Sequence, residues 1–328
     1  MRVRSAALLT IGVGLGSACG GVRSRASGAA DDDGTTKLVV QRNHPRQVAV
    51  DDTNVFWTEA YGLGRIARDG GEWTLLAESP QPRALALTPS LVVWTDDGTE
   101  PTDFHDGSIR AIDKRGGPVL TIASSQHEIR GLAIDDAWVY WTAADPEVPV
   151  EAEVLRAPLS GGPSEVLVRH QLFPTGVAVD ATSIYWAVPL RQEAPQEGGA
   201  ILAAPKEGGE QRRLATTPQD AEIEALAVDA SSVYWTASGA LMRVAKAGGA
   251  PSTLATGQPR IGSIAIAGTS VYWTNEELEH GEVMVLDGDA KRPTRLAREQ
   301  FLPTGLAAAG TRVFWAEELS GAVRTIGR

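Results

Sequence analysis

An all-β fold built from seven copies of one short unit is what this sequence predicts, and three observations predict it. Tryptophan recurs at Trp57, Trp94, Trp141, Trp186, Trp235, Trp273 and Trp315, at intervals of 37 to 49 residues. Each follows a Leu-Ala-Val-like run and a turn, as in Ala225-Leu226-Ala227-Val228-Asp229 ahead of Val233-Tyr234-Trp235-Thr236. Most copies then carry a glycine pair: Gly70-Gly71, Gly116-Gly117, Gly161-Gly162, Gly208-Gly209 and Gly248-Gly249. A period of about 40–45 residues marks a repeat architecture. Four-stranded sheets set around an axis make a β-propeller, here seven-bladed.

The chain opens with Arg2 and Arg4, followed by an apolar run from Ala6 to Leu15. That run is too short for a membrane-spanning helix and has the size of a signal-peptide core. It ends in Leu15-Gly16-Ser17-Ala18-Cys19-Gly20, which resembles a bacterial lipoprotein signal. The resemblance implies a signal over 1–19 and lipidation of Cys19, the chain's single cysteine. Gly20, where an aspartate would retain the protein at the inner membrane, favours the outer membrane. The alternative is plain secretion with cleavage at the small residues. Either way the expected location is the bacterial cell envelope or periplasm, with membrane contact only through the lipid anchor. Gly12-Val13-Gly14-Leu15-Gly16 is not a nucleotide loop, because no strand precedes it.

Residues 20–36 are rich in Gly, Ala, Ser and Asp, with no apolar periodicity, and are expected to be a flexible tether. The propeller is expected over 37–328. Repeat five shows the unit. Ala225 to Val228 is strand a, the innermost. Asp229-Ala230-Ser231-Ser232 is a turn whose first aspartate can bond the backbone two residues on. Val233 to Thr236, β-branched and aromatic, is strand b. Leu241 to Val244 is strand c, Gly248-Gly249 a tight turn and Ser252 to Ala255 strand d. Glycine pairs supply the positive φ angles such turns need. Repeat six departs, with Asp287-Gly288-Asp289.

The seventh copy, Gly305 to Ile326, supplies only strands a, b and c. Thr36 to Val40 aligns with strand d of the other repeats, so the N-terminal strand is expected to close the last blade and leave no open inter-blade face. The tryptophans are read as core, filling the wedges between blades. The small residue in the middle of each strand a (Ala227 in repeat five) leaves room for them.

Over 37–328 the repeats resemble the extracellular Tyr-Trp-Thr-Asp propellers of lipoprotein receptors, and more closely the bacterial secreted Val-Tyr-Trp-Thr propellers. Val139-Tyr140-Trp141-Thr142, Val233-Tyr234-Trp235-Thr236 and Val271-Tyr272-Trp273-Thr274 carry the likeness. Only Trp94-Thr95-Asp96 keeps the aspartate, and the receptor modules have six blades, so the receptors' partners do not carry over. The fold leaves function open.

Composition excludes some functions. The net charge of −11 argues against nucleic acid, whose phosphates need clustered Lys and Arg. One cysteine excludes an intrachain disulfide framework. The variable b–c loops are the natural place for function. They are acidic, with Glu59, then Asp96, Asp97, Glu100, Asp103 and Asp106, then Asp145, Glu147, Glu151 and Glu153. Glu193 and Glu197 follow, then Glu276, Glu277, Glu279 and Glu282, then Glu317 and Glu318; Arg191 is the one base among them. Such a field would draw basic peptides or proteins. At the start of strand a, Arg46, Arg83 and Arg130 come from three neighbouring blades, and together they could hold a carboxylate or phosphate. In the alternative, each arginine pairs with a nearby acid.

Signals for chemistry are sparse. Asp103, His105 and Asp106 are candidate metal ligands, but their spacing fits no calcium loop and no paired-histidine zinc motif; no cofactor is predicted. His44, His127 and His170 lie in d–a connections on the same face and are the candidate catalytic bases. No nucleophile elbow accompanies them. The expectation is a binding or scaffold module, the binding candidates being Arg46, Arg83, Arg130, Asp96, Asp97, Glu276, Glu277 and Glu279. The alternative is a propeller lyase or hydrolase with a His/carboxylate site at the channel mouth.

Overall fold

The computed structural model describes residues 31–328 except 32, 99–105, 127, 145–151, 172–173, 189–198, 218–220, 222 and 289. The predicted signal, Cys19 and most of the tether lie outside the described residues. The described chain forms 28 strands in seven four-stranded antiparallel sheets. This is the predicted seven-bladed propeller. Blade 1 spans 48–78, blade 2 82–126, blade 3 129–171, blade 4 175–216, blade 5 226–255 and blade 6 261–300. Blade 7 takes strands a to c from 303–327 and strand d from Thr36–Val39, which pairs antiparallel with Ala322–Gly327. Strand a of each blade packs on strand a of the next, and the last returns to the first, so the ring closes.

All seven repeat tryptophans have no exposed surface. Each buries roughly 150–250 Å² of mainly apolar area, against the blade before its own. Trp273 of blade 6 meets Tyr234 of blade 5, Trp186 of blade 4 meets Tyr140 of blade 3, and Trp57 of blade 1 meets Phe314 of blade 7. The pairing register explains the small residue of strand a. Ala227 lies opposite Tyr234 and Ala133 opposite Tyr140, while Leu226 and Leu132 lie opposite the tryptophans. The alanines therefore share the face of the residue before the tryptophan, and make room for the indole of the following blade.

Polar contacts fasten the same interfaces. The turn aspartate Asp135 accepts the Ala137 and Trp138 N–H groups at 2.9 and 2.8 Å. Its second oxygen takes the Tyr140 hydroxyl and the Lys206 ammonium of the next blade, both at 2.9 Å. Lys246 reaches Asp180, and Lys114 reaches Asp51, by the same stitch. The threonine after the tryptophan also ties neighbours together. Thr58 Oγ1 accepts Gln47 N–H of its own strand a and donates to the Arg83 carbonyl of the next, each at 3.1 Å. In the glycine pairs both residues have positive φ, for example 101° at Gly116 and 130° at Gly117.

Two polar residues assigned to the tether belong to the fold. Arg324 donates to Asp31 at 2.6 Å and to the fully buried Thr35 at 2.7 Å. Composition does not reveal them, because they are held by an arginine and not by apolar burial.

Candidate binding site at the channel mouth

The loops from strand b to strand c and from strand d to strand a share one face. In blades 2, 3, 6 and 7 the first residue of the b–c loop, three after the tryptophan, stands beside the start of strand a, as the bonds Asp97 to Gln81, Ala144 to Glu128, Glu276 to Arg260 and Glu318 to Leu302 show. That register puts Asp97 of blade 2, Glu276 of blade 6 and Glu318 of blade 7 at the channel mouth, where strand a brings Arg46, Arg83 and Arg130. These six, with Arg260, line a cavity of about 510 Å³. Thr95, Thr304, Ile129 and Leu302 form part of its wall.

Each guanidinium has a carboxylate. Arg46 meets Glu318 at 3.2 Å and Arg83 meets Asp97 at 2.6 Å. Arg130 holds Glu128. Arg260 sits between Glu224 at 2.6 Å and Glu276 at 3.5 Å. The mouth is thus a ring of ion pairs. Burial raises the Asp97 carboxyl, with Arg83 pulling the other way. Burial also pushes Glu276 up to about 7, against Arg260 and with the charges of Glu224 and Glu318 adding to the rise. A carboxyl in that range is half-charged near neutrality, as functional sites often require.

Several predicted loop acids lie elsewhere. Asp96, a candidate for binding, is fully buried at the end of strand b, where it accepts the Ser79 hydroxyl and the Gly98 N–H. Both of its carboxylate oxygens are thereby taken up within blade 2. Glu59 accepts the Trp57 indole N–H at 2.9 Å and pairs with Arg42, whose guanidinium stacks 3.7 Å over Trp73. Glu317 is fully buried on Arg324 at 2.9 Å. Glu153 and Glu282 fall in strand c and pair with Arg169 and Arg295. Glu277 and Glu279 are exposed on the blade 6 loop, as expected. Glu100, Asp145, Glu147, Glu151, Arg191, Glu193 and Glu197 lie outside the described residues. The field read from a count of loop acids is therefore largely compensated over the described part of this face.

His44 is 55% exposed, with Nδ1 4.0 Å from Glu318 Oε1, and it does not line the cavity. His170 is exposed at positive φ on the edge of blade 3. His127, Asp103 and His105 lie outside the described residues. Asp106 is exposed, its carboxylate seated over Gly98, where any Cβ would collide with it. Among the described residues no group of three or more His, Cys, Asp or Glu is arranged to hold a metal.

Two features escaped the sequence reading. Arg260 stands two residues before Gly262, the position aligned with Arg46, Arg83 and Arg130, and so fell outside that column. The other feature is a glutamine fifteen residues ahead of the tryptophan. Gln126, Gln171, Gln258 and Gln300 accept the indole N–H of Trp141, Trp186, Trp273 and Trp315 at 2.9–3.3 Å. The residue before each glutamine has positive φ: Ser125, His170, Gly257 and Glu299. This bend lets the glutamine amide donate to the carbonyl two residues back. His170 is accordingly the hinge of a tryptophan cap. The constant spacing was the signal that would have found it.

No protein-family profile matches the chain, and no curated relative does. Solved structures match well. The chain is similar to a structure from a nidogen/laminin complex (TM-score 0.60, 19% identity), covering 78% of this chain and 97% of that one. It is similar to a catalytically inactive virginiamycin B lyase from Staphylococcus aureus, solved with quinupristin (TM-score 0.68, 13% identity, 90% and 98% covered). It is also similar to an oligogalacturonate lyase from Vibrio parahaemolyticus (TM-score 0.67, 9% identity, 90% and 95% covered). At these identities the likeness establishes the propeller fold, including a Tyr-Trp-Thr-Asp-type relative, and leaves function to the site.

Proposed function

We propose that this protein is a non-catalytic binding module, tethered outside the cytoplasm through lipidated Cys19, which takes its ligand at the channel mouth. One observation carries the reading. The cavity is walled by four guanidinium groups and three carboxylates, each guanidinium already paired with a carboxylate of the wall or, for Arg130, with Glu128 beside it, and no histidine is among the described residues lining it. Paired charges are held in fixed geometry before a ligand arrives, which favours recognition. A ligand carboxylate or phosphate competes for Arg46, Arg83 and Arg130, and a ligand amine for Glu276 and Glu318. A small peptide or a flexible protein terminus has both groups. Basic protein partners fit the exposed loop acids Glu277 and Glu279 on the same face. The nidogen/laminin relative supports a protein-binding use of such a propeller.

The test is thermal stability of the full chain against small carboxylates, phosphate, short peptides, calcium and zinc. A ligand of the folded state raises the melting temperature by mass action. A peptide or carboxylate shift that Arg83→Ala and Arg130→Ala both remove supports the mouth. A flat response to carboxylates, phosphate and peptides rejects it.

A second reading has one observation in its favour. Glu276, poised near 7 in the cavity, has the character of a general acid, and His44 is near enough to Glu318 to form a pair. A lyase or hydrolase built on these groups would lose turnover in Glu276→Gln while keeping ligand binding.

A further inference from the structure

Seven large apolar side chains are exposed among the described residues. Four of them sit on one face, in the consecutive blades 6, 7 and 1. They are Leu278 at 65%, Phe301 at 43%, Leu319 at 50% and Tyr61 at 71%. Backbone hydrogen bonds join their loops into one surface. Leu302 N–H donates to the Glu277 carbonyl at 3.0 Å, and Leu319 N–H to the Phe301 carbonyl at 3.4 Å. Arg42 N–H donates to Gly321 at 2.9 Å, and Ala60 N–H to Asn43 at 2.8 Å, which carries the surface on to Tyr61. Leu302 is held at φ 52° between the Glu277 carbonyl and the Glu318 N–H, so the ridge is clamped from both sides. Single exposed apolar residues are ordinary; four on loops that hydrogen bonds join into one frame mark a contact surface.

Its border on blade 6 is acidic. Glu277 and Glu279 flank Leu278, and Glu299, exposed and paired with His280 at 2.8 Å, stands close to Phe301. Beside Tyr61 a dent of about 200 Å³ lies between Arg46, Ala60, Pro80, Gln81 and Pro82.

We propose that this ridge docks a protein partner through an amphipathic segment whose apolar side chains are flanked by lysine or arginine. The apolar ridge supplies the buried core of the contact and the glutamates select the charge of its rim. A membrane fits less well, because an anionic headgroup layer would face the same glutamates. A second copy of this chain fits less well too, because a two-fold contact would set these glutamates against one another. The ridge borders the mouth at Arg46, Leu302 and Glu318.

The test titrates the full chain into a labelled peptide of alternating Leu and Lys pairs and reads fluorescence anisotropy. Comparison peptides replace Leu by Ser, or Lys by Glu. The unmodified chain is expected to prefer the Leu/Lys peptide over the Ser/Lys peptide by about tenfold or more. Leu278→Ser combined with Leu319→Ser removes that preference, and Tyr61→Ser, at the most exposed of the four, weakens it independently. Glu277→Gln combined with Glu279→Gln flattens the salt dependence. Val119→Ser, at an exposed apolar residue of blade 2 outside the ridge, leaves all of this unchanged, and the mouth, which reads charge, does not distinguish the Leu/Lys from the Ser/Lys peptide, so failure of the ridge is separate from failure of the mouth. The proposal is overturned by equal binding of the Leu/Lys and Ser/Lys peptides, by ridge variants that bind like the parent, or by tighter binding of the Leu/Glu peptide. Uptake by phosphatidylglycerol vesicles that the ridge variants lose, or a dimer that they dissolve, would equally overturn it in favour of a lipid surface or of self-association.

Discussion

Gln300 accepts the indole N–H of Trp315 at 3.0 Å while its own amide donates to the Arg298 carbonyl two residues back. Both groups are buried, and each satisfies what the other element leaves open. Gln300→Leu keeps the volume and removes both bonds. Leaving a buried N–H unmet costs about 1–3 kcal/mol. Urea denaturation should show that loss in the midpoint with the slope unchanged.

The Asp135–Lys206 stitch predicts a pH dependence. Burial alone would raise the Asp135 carboxyl, but Lys206, two backbone N–H groups and the Tyr140 hydroxyl outweigh it and bring it down to about 2. Asp51, stitched to Lys114, also falls to about 2. A carboxyl lowered by folding stabilises the protein above its unfolded value near 4 and stops doing so as pH falls through the folded value. The melting temperature should therefore drop steeply between about pH 4 and 2. Asp135→Asn should flatten part of that drop and leave the melting temperature lower at pH 7.

Glu276 has the opposite sign. Its carboxyl is raised in the fold, so the native state holds a proton that the unfolded chain has released. Stability should fall as pH rises from about 4.5 to about 7, by an amount on the order of 1–3 kcal/mol. Glu276→Gln should match the parent at pH 4.5 and exceed it at pH 8. A variant no more stable at pH 8 would show that Arg260 keeps the site charged.

Closure of the last blade predicts the effect of trimming. Removing residues 1–39 deletes strand d of blade 7, strips Arg324 of Asp31 and Thr35, and exposes the edge of Ala322–Gly327. An open strand edge templates association. The trimmed chain should elute as higher assemblies on size-exclusion chromatography, where the untrimmed chain elutes as a single smaller species. Leu38→Asp, placing a charge on a side chain buried against blade 1, should produce a milder form of the same defect.

Much of the fold was legible because it repeats. Trp235 and its six counterparts, the turn aspartates and the glycine pairs each recur at fixed places, and Thr36 to Val39 could be assigned because strand d was missing from the other end. The partners within the site were not legible. Arg46 and Glu318 are 272 residues apart, and Lys206 and Asp135 are 71 apart. Nothing local links them; only the ring does. Asp96 and Glu59 misled for a different reason. An acid two residues after a buried tryptophan looks like a loop residue by composition, but strand b runs one residue further than the Tyr-Trp-Thr pattern and carries the acid inside. The glutamine cap was legible and passed over, since a polar residue at constant spacing from an aromatic one resembles a solvated position until the indole N–H is asked for its partner.

The chain end that completes blade 7 also sets the order of events in folding. Thr35 and Arg324 meet across 289 residues. Closing a loop of that length carries an entropy penalty of about 5 kcal/mol before any contact repays it. Each of blades 1 to 6 has all four of its strands in one continuous stretch. Blade 7 must wait for Ala322–Gly327 to leave the ribosome, and until then Thr36–Val39 has no partner. A segment that stays free for so long is open to whatever handles an unfinished chain, so the same strand that fastens the ring at the end of folding is available for capture at its beginning.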